Sequence, residues 1–302
     1  MAVVRTLRDR RARRSADDRR AALPSAVQAR LLLLRVRARL AHPARAAAVH
    51  DRGSDARCIR PRSRRGAGVS VQPDVKRALV FGGSGVVGSA VLGELARRGV
   101  HAVFTYRRGE DRAHVLARKL GHHPVQVDLA DAAATTAMLD AQGAIDVVIH
   151  CAGISAGLGL TELDVAAWQE AMAVNVQSAF LACRWVAARG RRCDVVLVGG
   201  LDRTQSLPLP VHFAASQGAL AALAMAAAHE LGRLDIRVNA IALGPLEAGI
   251  STGLAARRRK DYETFSALRR PGKAAEVAKA IAWLALENTF IQGKVIAVNG
   301  GI

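Results

Sequence analysis

Cysteine is scarce in this chain, and what there is makes no motif. Cys58, Cys151, Cys183 and Cys193 are the four among 302 residues. None forms a C-x-x-C pair, and no Cys/His group has zinc-ligand spacing, so neither a zinc module nor a disulfide scaffold is indicated. Buried free thiols in a reducing cytoplasm are the expectation. No apolar run approaches the roughly 20 residues that span a bilayer. The leucines at 31–34 are hemmed in by Arg30, Arg35, Arg37 and Arg39. A secretory leader needs an apolar stretch of at least about 7 residues, and the N-terminal region has none. Lysine is absent from residues 1–65, beside 19 arginines and five aspartates, a balance of 19 − 5 = +14. The formal total is +19, so the remainder carries 19 − 14 = +5, ordinary for a soluble enzyme. The excess charge therefore says little about partners of the folded part, and no nucleic-acid interface is expected there.

What is present divides into two regions. Residues 1–75 alternate arginine clusters with Ala, Leu and Pro and show no sustained strand pattern. A short amphipathic helix around 25–40 is conceivable. A nucleic-acid-binding arm would use the arginines on phosphates. A transit peptide should be poor in acids, which Asp9, Asp17, Asp18, Asp51 and Asp55 oppose. The favoured reading is a disordered extension with the composition of GC-rich DNA read without selection for protein, so the fold is sought in 76–302.

From Arg77 onward, β-branched apolar runs alternate with Ala/Leu-rich helical patterns. The pattern predicts strands at 77–82, 101–106, 125–129, 146–151, 194–198, 236–242 and 294–299. Helices are predicted at 86–98, 110–120, 132–141, 164–188, 213–231 and 274–286, with Gly99, Gly121 and Gly232 as stops. Strands that are apolar throughout imply burial on both faces. The alternation implies a single α/β domain with a Rossmann-like, doubly wound parallel sheet.

Phe81-Gly82-Gly83-Ser84-Gly85-Val86-Val87-Gly88 falls at the first strand-to-helix turn. Gly83, Gly85 and Gly88 make G-x-G-x-x-G, which lets backbone approach a pyrophosphate at a helix N-terminus. The competing reading is a glycine turn kept for packing. At the end of the second strand, an acid would take the ribose hydroxyls of NAD(H). Arg107 and Arg108 stand there instead, which favours NADP(H) through its 2′-phosphate, unless both merely face water.

Several segments resemble the short-chain dehydrogenase/reductase family, and within it the 3-oxoacyl-(acyl carrier protein) reductases. The C-terminal Gln292-Gly293-Lys294-Val295-Ile296-Ala297-Val298-Asn299-Gly300-Gly301 is similar to that group's last strand. Arg237-Val238-Asn239-Ala240-Ile241-Ala242 is similar to the strand before its Pro-Gly loop, although Leu243-Gly244-Pro245 departs from that loop. The resemblance places Asp128, with Leu129 beside it, at the adenine. Cys151-Ala152-Gly153 resembles an Asn-Ala-Gly turn with Cys in place of Asn, and Gly244 falls in the cofactor loop. It also implies a catalytic tetrad of Asn, Ser, Tyr and Lys, of which Asn175 alone is retained. Gly200 stands for the Ser, Phe213 for the Tyr and Gln217 for the Lys. A phenyl ring carries no acidic proton, an amide no charge, and glycine no hydroxyl.

Carbonyl reduction needs a proton at oxygen as hydride arrives. Neither His212 nor Ser216 is a convincing replacement on a helix where neighbours diverge by roughly 100°. Asp202, Thr204 and Ser206 lie on a loop within reach, or are simply solvated. The expectation is an inactive or weakly active NADP(H)-binding protein, assembled as a homo-oligomer or with an active paralogue in fatty-acid or polyketide-type metabolism. The alternatives are altered chemistry on an acyl thioester, or a working ketoreductase with another acid. Arg257, Arg258, Arg259 and Lys260, with Arg269 and Arg270, form either a surface for an acidic carrier protein or a solvated helix face.

Overall fold

β1 (Arg77–Phe81) lies mid-sheet and is buried from Ala78 onward. In chain order there follow α1 (Val86–Arg97), β2 (His101–Tyr106), α2 (Glu110–Leu120), β3 (His123–Gln126), α3 (Ala132–Asp140) and β4 (Val147–His150). Next come α4 (Val165–Met172), a π-helical turn (Ala173–Gln177), α5 (Ser178–Arg189), β5 (Cys193–Gly199) and α6 (Val211–Leu231). The chain closes with β6 (Ile236–Leu243), α7 (Ala256–Phe265), α8 (Ala274–Leu286) and β7 (Val295–Val298). This computed structural model describes residues 76–200 and 209–302. The extension and the loop holding Asp202, Thr204 and Ser206 lie outside the described residues.

Seven strands pair in the order β3-β2-β1-β4-β5-β6-β7, all parallel. The order reverses between β1 and β4, where Phe81 pairs with His150. A crevice opens at the carboxyl ends of the strands at such a reversal, and ligands bind there in this architecture. Successive residues serve opposite faces. Leu79, Val148 and Leu197 meet Leu139, Trp185 and Leu220 on one face. Val80, Ile149 and Val196 meet Leu92, Leu95 and Ile281 on the other. Each such aliphatic side chain contributes about 1.5–3 kcal/mol on burial. Across β5 and β6, Arg237 Nε and Nη2 bond Asp194 Oδ1 and Oδ2 at 2.7 and 2.8 Å.

The expected α/β architecture is the one found, and three local expectations are corrected. The third strand lies at His123–Gln126, because Asp128 already belongs to a turn, accepting from Ala130 N at its side chain. The helix expected at 164–188 is interrupted by the π turn, whose extra residue per turn no apolar period betrays. The long helix does end at Leu231 before Gly232, at φ −56°; a short 3₁₀ turn follows, and Asp235 takes the left-handed conformation at φ 55°. α6 passes the length and composition test for a membrane span, against the expectation of no such run. Its Leu220, Ala224 and Ala228 are packed into the core.

Candidate functional site

The first crevice wall is the glycine turn. Gly82 adopts φ +71°, donates its N–H to Thr105 Oγ1 at 2.9 Å, and is followed by Gly83 donating to Thr105 O at 2.9 Å. A Cβ on Gly88 would stand 2.2 Å from Gly82 O, so that glycine serves the close approach of α1 to β1. Gly85 is different. It is exposed, it caps α1 without a side-chain hydrogen bond, and the first turn of α1 carries no acid. Its backbone and the free N–H groups of α1 therefore face the crevice with a positive electrostatic character. Ser84 lies half-buried in the same turn.

A cavity of about 470 Å³ extends from this turn. Val87, Cys151, Ala152, Gly153 and Gly244 line it. Burial pushes the Cys151 thiol up to about 12, so it stays protonated and is no nucleophile. Leu129 is elsewhere, packed in the core with its side chain away from the cavity. Arg107, Arg108 and Asp128 line a separate shallow hollow at the sheet edge.

The catalytic end of the cavity holds Gly200, Phe213 and Gln217 together. The Gly200 N–H donates to Gln217 Oε1 at 2.9 Å. A Cβ on Gly200 would lie 3.3 Å from Phe213 Cε1, so a serine there needs the ring to give by a few tenths of an ångström. Asn175 is 1% exposed within the π turn. Its Oδ1 accepts from Ile154 N at 2.8 Å; its Nδ2 donates to Ile154 O at 3.0 Å and Ser216 Oγ at 2.9 Å. Ser216 in turn donates to Phe213 O at 2.8 Å, which commits its hydroxyl to the scaffold. His212 is buried and accepts from Ala156 N at Nε2, 2.9 Å away; burial lowers its pKa. Its remaining proton sits on Nδ1, which has no partner among the described residues. Neither residue presents an acid to the cavity. Among the described residues that line the cavity there is no Tyr, His, Asp, Glu or Lys; Ser155 and Ser251 supply its hydroxyls.

Three features escaped the sequence. Glu170 reaches across to Arg107, with Nη1–Oε1 at 2.8 Å, while Arg107 Nε lies 3.1 Å from Asp128 Oδ2. The hydrogen bond that Arg107 donates to Glu170 raises the Arg107 pKa. Tyr262 of α7 is 1% exposed and donates to Asn299 O at 2.7 Å, pinning α7 against the last loop beside the cavity. Arg270 is held by Glu276 at 2.7 and 2.9 Å, so it is not a free member of the basic cluster. No period or motif marks such long-range pairs.

The family model described as enoyl-(acyl carrier protein) reductase matches residues 84–302. The chain belongs to the short-chain dehydrogenase/reductase family. Within it the chain is most like the 3-oxoacyl-(acyl carrier protein) reductases, such as MabA of Mycobacterium bovis, 27% identical over 239 residues, 76% of this chain and 94% of that protein. It is also similar to the cyclic-di-GMP-binding biofilm dispersal mediator protein of Escherichia coli (strain K12), 27% identical over 228 residues, 74% of this chain and 96% of that one. Among solved structures, BdcA in complex with NADPH superposes with a TM-score of 0.70 at 26% identity, covering 75% of this chain and 94% of that one. A short-chain dehydrogenase fold with such a site fits a nicotinamide dinucleotide unevenly. The glycine cradle suits the pyrophosphate, whereas Gln217, bonded to Gly200, offers the nicotinamide ribose no ammonium group.

Proposed function

We propose that this protein binds NADP(H) in the crevice and does not reduce 3-oxoacyl thioesters by the family's mechanism. It acts instead as a non-catalytic partner subunit, joined to itself or to an active paralogue, in cytoplasmic fatty-acid or polyketide-type metabolism. The observation that carries this reading is the interlock of Gly200, Phe213 and Gln217. A site that had merely lost its acid would leave gaps. Here the amide oxygen accepts from the Gly200 N–H, and the ring stands in tight contact with where a side chain at 200 would begin.

Bound cofactor would supply hydride. The protein would hold the pyrophosphate on the first-turn N–H groups of α1 at Val86 and Val87, with Gly85, Gly153 and Gly244 walling the crevice. NADP(H) is favoured over NAD(H) by Arg107 and Arg108, and Arg108 is exposed with no acid partner among the described residues. The basic residues of α7, Arg257 to Lys260, suit an acidic acyl carrier protein as a further partner.

The test joins two measurements on the purified chain. NADPH should bind in calorimetry, and a 3-oxoacyl thioester should cause no NADPH oxidation above background. Adding an intact reductase of the same cell should yield a mixed oligomer. Turnover by the chain alone at a rate usual for reductases overturns the proposal.

A further inference from the structure

Arg107, Asp128 and Glu170 come from three separate places: the end of β2, the loop after β3, and α4. They meet at one point. The Arg107 guanidinium is within 3.1 Å of Asp128 and 2.8 Å of Glu170, and the three side chains remain 40, 43 and 44% exposed. One cation thus faces two anions. Gln126 Nε2 also donates to Arg107 O at 3.3 Å, which steadies the backbone at this position.

A guanidinium offers its donors in a fixed planar fork. Here the fork is already shared between two carboxylates. A 2′-phosphate arriving at the end of β2 meets the free Nη2 of that fork, but beside two carboxylates whose charges oppose it. Asp128 is fixed beside Arg107 by its turn, accepting from Ala130 N at 3.0 Å. Glu170 projects from a different element, and no other hydrogen bond of its side chain is seen among the described residues. It is therefore the carboxylate that can leave.

We propose that Glu170 is a specificity-determining residue of the adenosine end, competing with the 2′-phosphate for Arg107 and so narrowing the preference for NADPH over NADH. The inference rests on the dinucleotide-binding reading above. With Glu170 neutral, Arg107 and Asp128 form a balanced pair beside the free Arg108, and the site turns basic. NADH, which lacks the phosphate, gains little from that change.

The experiment measures dissociation constants of NADPH, NADH, adenosine 2′,5′-bisphosphate and adenosine 5′-monophosphate by calorimetry. The full chain, Glu170→Gln, Arg107→Ala and the double variant are compared. Glu170→Gln should tighten NADPH and the bisphosphate by roughly five- to tenfold, the effect of one unit charge near a dianion at the surface. NADH and the monophosphate should change less than about twofold. In the Arg107→Ala background the gain should largely vanish, since the two residues act as one unit. Equal gains for phosphorylated and unphosphorylated ligands, or an unchanged NADPH-to-NADH ratio, overturn the inference alone. No binding of any ligand by any variant overturns the dinucleotide reading and this inference with it.

Discussion

The backbone N–H of Gly200 donates to the side-chain oxygen of Gln217 at 2.9 Å, across the end of β5 and the first turns of α6. Phe213 completes the arrangement, its ring 3.3 Å from where a Gly200 side chain would begin. The three positions that depart from the family's tetrad therefore depend on one another. A lysine at 217 would remove the acceptor, and a serine at 200 would press on the ring. Contacting residues of this kind couple, so their substitutions are not additive.

That coupling predicts how restoration behaves. Gly200→Ser and Gln217→Lys made singly should each lower stability, by about 1–2 kcal/mol, and yield no activity. With Phe213→Tyr added, the triple variant should show measurable NADPH oxidation with a 3-oxoacyl thioester. A positioned acid contributes about 10²–10⁴-fold, and the wild type should sit at background by comparison. Strong wild-type reduction that disappears on replacing His212 would mean that a different acid serves the site.

Asn175 gives a second, separable prediction. Its amide makes three hydrogen bonds while 1% exposed, tying the loop at Ile154 and Ser216 of α6 to the π turn. Removing it leaves Ile154 N–H and C=O without that partner in a half-buried site. Asn175→Ala should cost about 2–4 kcal/mol in denaturant unfolding. The loss should be the same with and without NADPH if the role is structural. A change under about 0.5 kcal/mol would show that the amide is dispensable to the fold.

The sequence made the sheet legible because β1, β4 and β5 carry unbroken buried apolar runs at 78–81, 147–149 and 195–197. It located the glycine turn and the degenerate tetrad because these are short, contiguous patterns. It did not reveal what joins distant segments. Glu170 pairs with Arg107 at a separation of 63 residues, and Tyr262 with Asn299 at 37. Nor did it reveal that Ser216 and His212 are spent on Phe213 O and Ala156 N, since a helix pattern gives direction but not partners.

His150 predicts a pH dependence. It is 0% exposed at the end of β4, with Nε2 bonded to Ser178 Oγ at 2.7 Å and Nδ1 without a partner among the described residues. Burial lowers its pKa from 6.5 to about 4. The unfolded chain takes up this proton below about 6.5, and the folded chain only near 4. Stability is thus complete above that upper value and falls progressively toward the lower, by about 3 kcal/mol in all. Burial raises the pKa of Asp194, which acts in the opposite sense, so the comparison must be internal. His150→Gln should show a flatter profile than the wild type between pH 7 and 4.5. Parallel profiles would remove His150 as the cause.

Assembly is the remaining prediction. Val165 and Trp168 on α4 are 70 and 37% exposed, and Phe180 on α5 is 48% exposed. On α6, Val211 is 41% exposed, and near the C-terminus Trp283 and Phe290 are 43 and 95% exposed. Single exposed apolar residues are ordinary, but here they recur along the α4–α5 segment and at the start of α6, where a facing copy could cover them. Small residues along α6, among them Ala214, Gly218 and Ala222, let a facing helix approach closely. A two-fold seam would bury the same residues twice. The protein should therefore be a dimer or tetramer in light scattering at micromolar concentration. Phe180→Asp should shift it toward monomer with little change in circular dichroism, because that side chain is half out of the protomer. A wild type that is monomeric both alone and mixed with an intact reductase would contradict the seam and, with it, the partner-subunit role.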